Sequence, residues 1–184
     1  MAEPATPQRL NSPAGLAAGE GLRAAHWVSI DHTFETAHRL PHLGGKCASL
    51  HGHSWRVAVG VAAPRLDGDL TVVEFGALKT AVRDWIDTRL DHGTMLGTED
   101  PLVEPLLAAD CRVFRFGAGH SAVDGEELAA DLAWPTVEAV AVLLRRMSQK
   151  ILAELPHAPE ARVGRVAVRE APLNTAECGP EGIL

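Results

Sequence analysis

Apolar and polar residues alternate from His26 to His38 in HWVSIDHTFETAH, with Val28, Ile30, Phe34 and His38 on one parity, and the pattern predicts a half-buried strand. A second alternating run, HGHSWRVAVGVAA, carries Trp55, Val57, Val59 and Val61 on the parity of His51 and His53. Side chains two apart on a strand share a face. His38 therefore leaves the first strand on its apolar face, and His51 and His53 leave the second together. The loop between them, RLPHLGGKCASL, contains Pro41 and the Gly44-Gly45 pair, which break regular structure and let the chain fold over the strand ends. An antiparallel pair with all three imidazoles on its inner face is expected.

Downstream the period changes from that of a strand to that of a helix. Pro64 to Gly68 reads as a turn, and from about Glu74 to Leu90 the residues Phe75, Leu78, Val82, Trp85 and Ile86 recur at helical spacing, with Gly93 as the stop. The segment over about 97–133 has prolines, a short strand candidate in CRVFRF and a polar, acidic end, and reads as an insertion. A second helix starts at Pro135-Thr136 and runs to Pro156 on an apolar stripe of Val137, Val140, Ala141, Leu144, Met147, Ile151 and Leu155. RVGRVAVREA is a third strand, and Thr175 to Gly179 starts a short fourth. The order strand, strand, helix, helix, strand, strand predicts an α+β fold: a four-stranded antiparallel sheet with two helices on one face.

Composition narrows the class. At 184 residues and 46% hydrophobic content the chain suffices for one domain with a sizeable core, expected over 26–184. Residues 1–25, rich in Ala, Gly and Pro, lack the basic start and apolar block of a secretory signal and read as a disordered tail. A net charge of −7 argues against nucleic acid or an anionic membrane as the main partner, while a small phosphorylated substrate needs only a few local cations. Three cysteines without a CxxC pair are no disulfide framework, which fits a reducing cytoplasm.

The histidines carry the chemistry. A lone His-x-His is weak evidence for metal, but His38 on a matching inner face makes a set of three with His51 and His53. Three neutral imidazoles around Zn²⁺ leave a position for water or substrate, the pattern of a catalytic site. Cys47, four residues before His51, has two readings: a space-filling thiol, or a fourth ligand that closes a structural site. His32, His42 and His120 lack a spacing partner and read as solvated surface residues.

FETAHRLPH, KCASLHGH, VVEFGALK, RLDHGTML, PTVEAVA and VAVREA resemble, in that order, motifs of the 6-pyruvoyl-tetrahydropterin synthase family. The Cys-x-x-x-His-Gly-His spacing is most similar to its bacterial branch, the 6-carboxy-tetrahydropterin synthases. The resemblance implies the tunnelling fold, with trimers forming a barrel and two trimers stacking into a hexamer. It implies zinc on His38, His51 and His53, Cys47 as catalytic base with Asp91 and His92 as relay partners, and Glu170 as the pterin anchor. The implied reaction is a zinc-dependent lyase step on 7,8-dihydroneopterin triphosphate, giving 6-carboxy-tetrahydropterin, acetaldehyde and triphosphate in a queuosine-type pathway. Alternatives are the 6-pyruvoyl product and a non-catalytic zinc-binding scaffold. Arg39, Arg56 and Lys46 are candidates for the triphosphate. The chain departs from the family pattern at Glu74, where aspartate is usual, at Ala139, where asparagine is common, and at Ala171-Pro172 after the anchoring glutamate.

Overall fold

The computed structural model describes residues 25–118 and 123–179. In that range the chain forms β1 (His26–His38), β2 (His51–Ala63), α1 (Phe75–Arg89), β3 (Gly93–Gly97), α2 (Val103–Ala108), β4 (Val113–Phe116), α3 (Val137–Glu154), β5 (Arg162–Ala171) and β6 (Asn174–Cys178). Residues 1–24, which hold nearly all of the expected tail, and His120 lie outside the described residues.

β1 and β2 pair antiparallel along their whole length, from His26 opposite Ala63 to His38 opposite His51. The alternation does what it predicts: Ile30 and Phe34 of β1 and Trp55, Val57, Val59 and Val61 of β2 are buried on one face. α1 brings Leu78, Val82 and Ile86, and α3 brings Val140, Leu144 and Met147, into the same core cluster. Burying these side chains is the main stabilising term, at about 25 cal/mol per Å² of apolar surface removed from water. The indole nitrogen buried in that layer is satisfied, because Trp55 Nε1 donates to the Thr36 carbonyl at 3.1 Å.

The sheet itself departs from expectation. Instead of four antiparallel strands it has six, in the order β4-β3-β1-β2-β5-β6. β2–β5 and β5–β6 are antiparallel, but β3 runs parallel to β1, opposite Thr36–His38, and β4 runs parallel to β3. A parallel partner needs a long connection, and β2 followed by α1 supplies it. β3, GTMLG, is too short to show alternation and is bounded by glycines, so its sequence has no strand signature. CRVFRF forms its strand as β4. The remainder of the 97–133 segment is tied to β4 by Glu126, fully buried, which accepts from the Arg115 amide at 2.6 Å and pairs with its guanidinium at 3.0 Å.

The helix ends are locally determined. α1 stops at Leu90, and the left-handed residue after it is His92, with φ 53°, and not Gly93. Gly93 serves close approach: a Cβ there would lie 3.1 Å from the Leu90 carbonyl and 3.2 Å from the Arg112 side chain. At the other end Glu74 is the N-cap, its carboxylate accepting from the Gly76 and Ala77 amides at 2.7 and 2.6 Å. Those two bonds hold its pKa below the usual glutamate value. A carboxylate with a lowered folded pKa contributes stability that is complete above its unfolded pKa and is lost as pH falls through the folded one. Glu74→Gln is therefore expected to lower the melting temperature at neutral pH and to flatten its decline between about pH 5 and 3, while Glu74→Asp retains both. Thermal melts across that range check it.

Candidate metal centre and active site

The register that pairs β1 with β2 builds the centre. His38 faces His51 directly and His53 faces Thr36, so three rings from adjacent strands crowd one spot at the end of the sheet. One potential ligand atom from each of His38, His51 and His53 lies within 4.8 Å of the others. Ring centroids are 4.7 Å apart for His38 and His51, 5.3 Å for His38 and His53, and 4.9 Å for His51 and His53. Trp55 floors the cluster, edge-on to His38 at 5.1 Å and to His53 at 5.8 Å.

Two of the rings are oriented by backbone carbonyls. His38 Nδ1 lies 2.9 Å from the Pro135 carbonyl and His51 Nδ1 lies 2.8 Å from that of Ser49. A carbonyl only accepts, so each Nδ1 carries the hydrogen, which in a neutral ring leaves Nε2 as the lone pair. Metal-bound histidines are held in this way. His38 Nε2 is buried with no hydrogen-bond partner, and a buried polar atom is not left unpaired without cost. Burial pushes the His38 pKa down; the bond to Pro135 and the Glu170 charge oppose this and His51 and His53 reinforce it, leaving a net lowering that favours the neutral, ligating form. The orphaned nitrogen, the neutral ring and the two neighbouring lone-pair donors fit a metal ion. The set His38, His51 and His53 can hold one.

Cys47 is exposed, on the 3-10 turn Gly45–Ala48 of the β1–β2 loop, which the Leu40 amide closes by donating to the Cys47 carbonyl at 2.6 Å. Its thiol is not one of the grouped ligand atoms, so a closed Cys-His₃ set is not formed. Asp91 accepts from the Glu35 amide and from His92 Nδ1, both at 2.7 Å. Burial pushes the Asp91 carboxyl up, but these two bonds and the nearby His92 and His32 outweigh it and hold the group below the usual range. His92 is exposed and lines, with His53, Glu35, Gly52 and Ser54, a cavity of about 340 Å³ that Cys47 does not line.

Glu170 comes to the histidines within the same chain, its Oε2 3.8 Å from His38 Nε2 while Oε1 accepts from Asn174 at 3.2 Å. The β5–β6 register shifts between Arg169 and Ala171, and Glu170 sits at that irregularity. Pro172 and Leu173 are the two residues between the paired Ala171 and Asn174, so the unusual proline falls in a tight turn, where its missing amide is of no consequence. Two of the three triphosphate candidates are engaged elsewhere: Arg39 with buried Asp100 at 3.4 Å and Arg56 with Asp31 at 3.0 Å. His32 and His42, read as solvated, both have partners: His32 bonds Asp87 at 2.8 Å, and exposed His42 stacks on Trp134 with centroids 4.8 Å apart. Sequence reasoning missed Pro135 and Ser49, which act through carbonyls that every residue possesses and so leave no signal in side-chain pattern.

A sequence model described as 6-pyruvoyl tetrahydropterin synthase matches residues 27–181. The chain belongs to that family. Within it, the chain is 42% identical over 90 residues to the 6-carboxy-5,6,7,8-tetrahydropterin synthase of a Synechocystis species, covering 45% of this chain and 70% of the relative. A probable 6-carboxy-5,6,7,8-tetrahydropterin synthase of Halobacterium salinarum is 32% identical over 139 residues, 76% of this chain and 77% of the relative. The chain spans about half the length (49%) of the Rickettsia conorii 6-carboxy-5,6,7,8-tetrahydropterin synthase, at 34% identity over 36% of this chain. The 6-carboxy branch of the family is thus where its curated similarity lies. Among solved structures, Caenorhabditis elegans 6-pyruvoyl tetrahydropterin synthase superposes with a TM-score of 0.54 at 17% identity, over 87% of this chain and all (100%) of that one. The Plasmodium falciparum enzyme gives 0.57 at 17% identity, over 85% and 98%. These establish the α+β tunnelling fold. Among the described residues no helix is long and apolar enough to cross a membrane.

Proposed function

We propose that this chain is a zinc-dependent lyase that converts 7,8-dihydroneopterin triphosphate and one water to 6-carboxy-5,6,7,8-tetrahydropterin, acetaldehyde and triphosphate. It works in the cytoplasm, in a queuosine-type 7-deazapurine pathway, as a homohexamer of two stacked trimers. The observation that carries the reading is the convergence of His38, His51 and His53, with Cys47 left outside the ligand group. Three imidazoles would hold the metal and leave a position open. Zinc bound there would supply Lewis acidity toward the substrate's side-chain hydroxyls.

The chain's own groups do the rest. Cys47 is the base that takes the proton from the carbon bearing a hydroxyl. Asp91 accepts the Nδ1 hydrogen of His92, which leaves His92 Nε2 as a lone pair ready to take up and return a proton. Glu170 offers two coplanar acceptors to the 2-amino and N3 donors of the pterin edge. Lys46, exposed next to Cys47, supplies positive charge for the triphosphate.

The test is product identification. Zinc-loaded protein incubated with 7,8-dihydroneopterin triphosphate is expected to give the 6-carboxy product and acetaldehyde by mass spectrometry. A 6-pyruvoyl product would transfer the reading to the side-chain-retaining reaction. No turnover from fully metallated protein would end the lyase reading.

A further inference from the structure

The segment over 97–133 and the two residues that follow it do more than extend the sheet. Pro135 orients the His38 ring through its carbonyl, at 2.9 Å. Trp134, half-buried, lies face to face with His42 of the β1–β2 loop, at 4.8 Å between centroids and 21° between planes. Asp100, whose side chain is fully buried, faces Arg39 at 3.4 Å and accepts from the Leu102 amide at 2.9 Å, which fixes its carboxylate. Three successive attachment points therefore join one segment to the start of the loop that carries Cys47. The loop's other ties are short-range: the Leu43, Gly44 and Ser49 amides donate to the Leu40, Pro41 and Lys46 carbonyls, and His51 Nδ1 bonds the Ser49 carbonyl. His42, Leu43, Gly44, Gly45, Lys46 and Cys47 are all exposed, and its closure rests on the Leu40 amide bond to the Cys47 carbonyl.

We propose that Trp134 and His42 form a latch that positions the Cys47 loop, with Trp134 acting as a positioning residue for the reaction. The stack restrains the Pro41–Leu43 turn, the turn restrains the closing bond at Leu40, and that bond sets where the Cys47 backbone stands. A reacting thiol must be placed closely, since a misplacement of about 1 Å can cost about 100-fold in rate. The turnover part of this inference rests on the proposed function. The loop-restraint part does not.

The test uses His42→Ala and Trp134→Ala, with His42→Phe and Trp134→Phe as variants that keep a planar ring. His42 is exposed, so its removal leaves no core cavity. Amide hydrogen exchange, read by mass spectrometry on peptides covering residues 40–50, is expected to speed up about 2- to 10-fold in both alanine variants, the range for one aromatic stack. Exchange in β2 and α3, and zinc content, are expected to match the parent. kcat falls about 10-fold with KM within about twofold, and the phenylalanine variants recover most of both effects. Unchanged exchange in the loop overturns the latch whether or not the protein acts on a pterin. Faster exchange with unchanged kcat, in a parent that does turn over, overturns the positioning role, and loss of zinc from His42→Ala overturns it as well, because the stack would then be holding the ligand set. If the parent itself shows no turnover, the proposed function falls and loop exchange alone decides the latch.

Discussion

His38→Ala is expected to yield a folded protein that retains no metal and turns over no pterin. His38 is the most enclosed of the three imidazoles, 1% exposed, and its Nε2 has no hydrogen-bond partner. Losing only an outer partner of a metal-bound histidine costs about 10- to 100-fold in affinity, and losing a ligand from a set of three costs more. The chemistry a metal contributes is worth several kcal/mol of barrier, so the expected fall in kcat is about 10³-fold or greater. Stability changes less. The variant forfeits the bond to Pro135, worth about 1 kcal/mol, but removes one of three crowded rings. Zinc per chain measured by plasma mass spectrometry after dialysis, with circular dichroism to confirm folding, decides the outcome. His51→Ala, at a half-exposed position, gives the same result with less disturbance of the core. Full zinc occupancy in either variant would show that the triad is not the metal centre.

Cys47→Ala is expected to have the opposite signature, keeping its zinc and its melting temperature while activity collapses. An exposed thiol outside the ligand group contributes little to stability, within about 0.5 kcal/mol. A positioned acid or base contributes about 10²- to 10⁴-fold in rate, and that is the loss expected in kcat. Cys47→Ser keeps the geometry but weakens the base, and falls between the two. A Cys47→Ala protein that loses metal and unfolds would make the thiol a closing ligand of a structural site. Retained turnover would place the base elsewhere, with His92 as the next candidate. Because His38→Ala tests the metal and Cys47→Ala tests the proton transfer, the pair separates an inert metal-binding scaffold from an enzyme.

The two long strands, the two long helices and the histidine face were all legible along the chain, because each depends on residues within a few positions of one another. Period two from His26 to His38 and from His51 to Ala63 is enough to bury Phe34 and Trp55, and the same parity turns His38, His51 and His53 inward. Capping followed the same local logic, with Thr136 accepting from the Ala139 amide at the start of α3. β3 was illegible for the converse reason. Five residues bounded by glycines carry no period, and their strand character comes from lying beside Thr36–His38.

The candidate site divides along the same line. That His38, His51 and His53 could share a metal followed from residue type and spacing, because a strand's pleat repeats every two residues whatever it packs against, whereas the proton-moving roles of Cys47, Asp91 and His92 came only with the family resemblance. Which nitrogen of His38 faces the cluster, that Glu170 closes on it from β5, that Arg39 is engaged by Asp100 and that Trp134 meets His42 were settled only when the sheet curled and the 97–133 segment packed against it. Those contacts join residues from 61 to 132 positions apart (Arg39 to Asp100, His38 to Glu170), and two of the orienting groups are backbone carbonyls. Neither separation in the chain nor a carbonyl common to all residues leaves a trace in local pattern; only the packed core brings the partners into reach.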